Sequence, residues 1–108
     1  MYQIQGTTKL HPFAAYSNMG VEATVLTTPV CKYRINGGTV TTFTPTITYT
    51  ASMKTFLITI PATLAVNAYD SIEVYISAAE GEAHLLIDVA TDMASLIYKL
   101  KNKSKVLR

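Results

Sequence analysis

Apolar and polar residues alternate with a period of two from Asp70 to Asp88. Ile72, Val74, Ile76 and Ala78 fall on one face of an extended chain, and Glu73, Tyr75 and Ser77 on the other. After Glu80-Gly81-Glu82, which reads as a turn, Ala83, Leu85, Ile87 and Val89 form one face and His84, Leu86 and Asp88 the opposite one. Two such runs in succession predict a half-buried antiparallel hairpin. A lone hairpin is marginal in water, so its apolar face requires a second layer of structure.

The upstream chain supplies candidates for that layer. Val21 to Thr27 reads as a strand with Val21, Ala23 and Val25 on one face, ended by Thr28-Pro29. Val30 to Asn36 reads as the next strand. Asn36-Gly37-Gly38 is a hairpin signal, because Asn and Gly reach positive φ at little cost. Thr39 to Thr44 alternates poorly and is expected on an edge, and Pro45, which cannot donate a ladder hydrogen bond, marks a break. Thr46 to Ala51 follows, with Ile47, Tyr49 and Ala51 inward. Ser52-Met53-Lys54 turns the chain into Thr55 to Ile60, with Phe56, Ile58 and Ile60 inward. Pro61 stops that strand, and Leu64 and Val66 are expected under the body. The expectation is an all-β, antiparallel β-sandwich of about seven strands spanning 21–90; a small barrel is the competing architecture.

The period changes at 91–108. Met93, Leu96, Ile97 and Leu100 sit at i, i+3, i+4 and i+7, one face of a helix that Thr91 or Asp92 can cap. So short a helix needs a surface to dock on, either its own body or another copy. Burying those side chains contributes several kcal/mol, at about 1.5–3 each. At the other end, residues 1–20 lack sustained alternation yet scatter Tyr2, Ile4, Leu10, Phe13, Tyr16 and Met19 among Gly6, Pro12 and Gly20. They read as an extended arm. It lies either on a partner subunit or over the protein's own sheet edge, and both outcomes bury those side chains.

Composition fits an all-β body. The chain has 108 residues, 49% of them apolar and only 15% charged, with sixteen Thr and seven Tyr. That is the size of one domain, rich in β-formers and poor in charge. A Thr-rich surface of low charge suits a part that sits against neighbours. The net charge of +2 is uneven: Lys99, Lys101, Lys103, Lys105 and Arg108 put five positive charges in the last ten residues, leaving the rest at −3. Such a tail can contact nucleic acid, with a salt-dependent affinity, or it is a solvated helix end. No aromatic platform accompanies it. No apolar segment is long enough to span a membrane, and no secretory leader is read at the N-terminus.

Catalytic chemistry finds no foothold. Cys31 alternates with Tyr33 and Ile35 and reads as a small buried hydrophobe, not a reactive thiol. The two histidines, His11 and His84, have no Cys or acid at ligand spacing, and His84 falls on the outward strand face. Gly37-Gly38 is a hairpin tip without a following helix, so it is no phosphate loop. Glu80 and Glu82 read as solubility charges, and the other acids are too scattered for a two-carboxylate hydrolase or a calcium loop. The expectation is a protein without enzymatic activity, metal or cofactor.

Several stretches then resemble one known layout. A strand leads into Ile35-Asn36-Gly37-Gly38, and an extended Phe56 to Ile60 strand follows. Asp70-Ser71-Ile72 opens a strand pair, and Ala90-Thr91-Asp92-Met93-Ala94-Ser95-Leu96-Ile97 starts a helix. From Val21 to Leu100 this resembles the immunoglobulin-like sandwich of accessory virion proteins of tailed phages. Met53-Lys54-Thr55-Phe56 stands where a Gly-aromatic pair often precedes the middle strand. The resemblance implies a structural virion protein, assembled in the host bacterial cytoplasm, of the decoration, neck or fibre-attachment kind. It would bind capsid, neck or tail proteins in multiple copies or as a homo-oligomer. The grips would be Tyr2, Ile4, Leu10, Phe13 and Tyr16 of the arm and Met93, Leu96, Ile97 and Leu100 of the helix. A glycan-binding or adhesion module using exposed tyrosines such as Tyr75 is the alternative.

Overall fold

A computed structural model describes residues 1–91. Eight strands run in chain order: β1 (Tyr2–Ile4), β2 (Lys9–Phe13), β3 (Val30–Ile35), β4 (Thr41–Phe43), β5 (Ile47–Thr50), β6 (Thr55–Ile60), β7 (Ser71–Ala78) and β8 (Gly81–Ala90). They form two sheets, one in the order β1-β8-β7-β3-β4 and one in the order β2-β6-β5. The opening hairpin of the sequence reading is β7–β8, the middle of the larger sheet. Its turn lies at Ala79-Glu80, one residue earlier than expected, and Gly81 and Glu82 belong to β8. Gly81 is required there for space, because a Cβ would stand 2.9 Å from the Tyr16 backbone.

The alternating residues do what period two demands. Ile72, Val74, Ile76, Leu85, Ile87 and Val89 from the larger sheet meet Phe13, Phe56, Ile58 and Ile60 from the smaller one, all buried in one core. Each such side chain contributes roughly 1.5–3 kcal/mol on leaving water. Phe56 stacks on Phe13 at 5.3 Å and tilts against Tyr49 at 4.7 Å, so one aromatic row crosses all three strands of the smaller sheet. Cys31 is buried in the same core. Leu64 tucks under the body as expected, whereas Val66 and Ala51 face solvent.

The N-terminal segment takes the second expected placement, over the protein's own sheet edges, and does so as paired strands rather than as a loose arm. Tyr2–Ile4 pairs in parallel with Asp88–Ala90, and Lys9–Phe13 pairs antiparallel with Phe56–Ile60, so the first thirteen residues supply an edge to each sheet. Pro12 is tolerated in β2 because it occupies a position whose N–H would point out of the sheet. With β2 beside β6, Val21 to Thr27 has no ladder to join. It forms no strand; Glu22 merely bridges Tyr16, and only Ala23 is buried. The expected arm and first strand are thus exchanged. The helix residues Met93, Leu96, Ile97 and Leu100 and the basic residues Lys99, Lys101, Lys103, Lys105 and Arg108 lie outside the described residues.

Candidate functional site

The two sheets present outward faces of opposite chemistry. On the larger sheet, the register sets Lys32 beside Tyr75 beside His84, and Arg34 beside Glu73 beside Leu86. Arg34 Nε donates to one Glu73 oxygen, and His84 Nε2 lies 2.8 Å from the other. The Arg34 hydrogen bond, the first cause, holds the Glu73 carboxyl below its ordinary range, and Glu73 in turn raises Arg34. The Tyr75 hydroxyl donates to Glu82, which pushes the phenol up. These groups surround a shallow concavity of about 230 Å³ that Val40 also lines. That is smaller than the roughly 300 Å³ from which drug-sized sites begin.

The smaller sheet is different. Its outward positions are Leu10 and Pro12 on β2, Thr55, Leu57 and Thr59 on β6, and Thr48 and Thr50 on β5. None of these carries a charge. Met53, 72% exposed, stands at one end of this face, with Leu10 at 51%. Burying such a surface against another protein desolvates methyl groups and hydroxyls only. Burying the opposite face would desolvate a guanidinium, two carboxylates and an ammonium, each costly unless matched.

A third feature lies inside. Gln3 on β1 sends its amide Nε2 to Thr7 O at 2.8 Å and to Ile60 O of β6 at 3.0 Å, and its Oε1 meets His11 Nε2 at 2.8 Å. Both side chains are buried. This polar clasp fastens the two N-terminal strands across the sheets. Burial, then the nearby positive charges of Lys9 and the N-terminus, lowers His11 to about 4.

The five expected arm contacts are dispersed. Phe13 is a core residue with 7% exposure and is unavailable to a partner. Tyr2 and Ile4 sit on the edge of the larger sheet, and Leu10 faces outward on the smaller one. Tyr16 is pinned by backbone bonds to Glu82 and remains half exposed. They form no common surface. The acids expected as mere solubility charges have partners: Glu80 accepts from Thr27 N and Oγ1 at 2.8 and 2.5 Å, which lowers its carboxyl, and Glu82 holds Tyr75. Sequence periodicity alone announces neither the clasp nor the Arg34–Glu73–His84 trio. The second was within reach: a two-residue β7–β8 turn fixes Tyr75 opposite His84, which places Glu73 on the diagonal.

Among the described residues no group of three or more His, Cys, Asp or Glu could hold a metal ion, and no helix is long and apolar enough to cross a membrane. No family model matches the chain, and no curated protein or solved structure matches it.

Proposed function

We propose that this chain is a structural virion protein of a tailed phage, a non-catalytic immunoglobulin-like module that attaches to capsid, neck or tail proteins in multiple copies. The observation that carries the reading is the uncharged outer face of the three-stranded sheet, Leu10, Pro12, Thr48, Thr50, Thr55, Leu57 and Thr59. A partner can cover it without stranding a charge, and each leucine it buries is worth about 1.5–3 kcal/mol. The grip is therefore a sheet face, not a loose arm.

The strand order supports the immunoglobulin-like part of the reading. The last hairpin lies in the middle of the larger sheet, an early strand pairs in parallel with the final one, and three strands make the opposing sheet. Immunoglobulin sandwiches divide their strands between two sheets in this manner. The core of this chain is built on aliphatic side chains such as Ile58, Ile72 and Ile76, without a disulfide among the described residues.

Leu57→Lys tests the attachment. It places an ammonium in the centre of the uncharged face while leaving every inward residue in place. The variant is expected to melt within a few degrees of the parent and to lose most of its co-sedimentation with purified phage particles. Undiminished co-sedimentation would remove this face from the account. The glycan reading draws on one observation, the exposed Tyr75 ring over the concavity of the opposite face. It predicts the reverse pattern, with Tyr75→Ala abolishing saccharide binding and Leu57→Lys leaving it intact.

A further inference from the structure

β5 leaves a sheet rim open in a particular way. Thr59 N donates to Thr46 O at 3.0 Å, so Thr46 and Thr59 form a hydrogen-bonded pair. Antiparallel ladders alternate, so Thr48 and Thr50 also bond to β6, and the N–H and C=O groups of Ile47 and Tyr49 point away from the sheet. Among the described residues no backbone bond reaches these four groups. The other rims are blunted in ways known to discourage pairing: β1 and β4 are three residues long, and β2 contains Pro12. Thr46-Ile47-Thr48-Tyr49-Thr50 has neither proline nor charge. Beside it, a cleft of about 350 Å³ opens between β5, β6 and the loop before β3, with Val25, Leu26, Pro45, Ile47, Tyr49 and Phe56 among its lining.

We propose that β5 pairs antiparallel with β5 of a second copy of this chain, about a two-fold axis through Thr48. In that register Ile47 faces Tyr49 of the partner subunit, and both are residues whose backbone groups point outward. The two N–H groups of each copy donate to the two carbonyls of the other, and every group left open in the single chain is used. A second copy fits better than an unrelated strand because the stretch reads alike in both directions: threonines at 46, 48 and 50, large apolar side chains at 47 and 49. An isologous contact demands such self-complementarity. No like charges meet at the axis, and the inward side chains of each copy close over the other's cleft. The two three-stranded sheets become one sheet of six, with an uncharged outer face of twice the area. The pairing stands independently of any virion partner.

Thr48→Cys tests the register. The two Thr48 residues form a non-hydrogen-bonded pair with Cα atoms about 4.5 Å apart, within the range of about 4.4–6.8 Å that a disulfide spans. Thr48 is exposed, and the native Cys31 is 2% exposed and does not compete. Mild oxidation is expected to convert Thr48→Cys to a covalent dimer while Thr50→Cys, about 13 Å from its own copy across the axis, stays uncrosslinked. Sedimentation of the parent chain over a concentration series is expected to show a dimer, and Thr48→Lys, still folded by thermal melt, a monomer. A parent that remains monomeric, or Thr50→Cys cross-linking as readily as Thr48→Cys, would overturn the proposal.

Discussion

Deleting Met1–Phe13 is expected to unfold the protein. The deletion removes β1 and β2 together, an edge from each sheet, and with them the buried Phe13, Gln3 and His11. It leaves the outward ladder groups of Phe56, Ile58 and Ile60 without partners and opens the side of the core that Phe13 covers. Loss of Phe13 alone costs about 3–5 kcal/mol by analogy with large-to-small core changes. A whole domain has only about 5–15 kcal/mol in hand. Circular dichroism of the truncated chain should show no cooperative melt, and adding the excised peptide should restore one. A truncated chain that melts cooperatively on its own would return the segment to the status of a dispensable arm.

The second large effect is acid lability with an early onset. Gln3 can present only Oε1 to His11, since its amide nitrogen is committed to two carbonyls, so His11 Nε2 carries the proton that donates. Further protonation at Nδ1 brings a charge into the core near Lys9 and the N-terminus. The folded protein resists this, and His11 titrates at about 4 against an ordinary 6.5. The sign follows from linkage: the unfolded chain binds the proton first as pH falls, so stability is complete above about 6.5 and is lost progressively down to about 4. The loss amounts to roughly 3 kcal/mol. Glu73 and Glu80, whose carboxyls are held below 4.5, lose their contributions only at more acid pH. The interval from 6.5 to 4.5 therefore belongs largely to the clasp. Urea denaturation at a series of pH values should show this slope in the parent, and His11→Gln, which cannot titrate, should flatten it. An equal slope in the variant would assign the acid sensitivity elsewhere.

β6 and β7 were legible in the sequence to within a residue and β8 to within two, because each carries a run of alternating residues bounded by Pro61, Asp70 or a turn. β5 was legible for the same reason, and the edge position of β4 from its poor alternation. The N-terminal strands were not. β1 has three residues, β2 carries a proline, and the partners of both lie far along the chain, so no local period announces them. Val21 to Thr27 shows the converse: alternation without an available edge makes no strand. The same limit applied to the site. Leu57 and Thr48 carry no local signal, Leu10 reads only as an arm contact, and only the pairing of β2, β6 and β5 sets the three on one uncharged face. Phe13, expected as a contact to a partner, belongs to the core instead.

The central claim is that the molecule attaches to its neighbours through that uncharged face. Cryo-electron microscopy of the phage particles proposed to carry the chain tests this most directly. The predicted result is density for multiple copies, each with Leu10, Leu57 and Thr59 against a neighbouring protein and Tyr75 and His84 turned to solvent. Particles that lack the chain, or that seat it by the Arg34–Glu73–His84 face with the three-stranded sheet left bare, would contradict it.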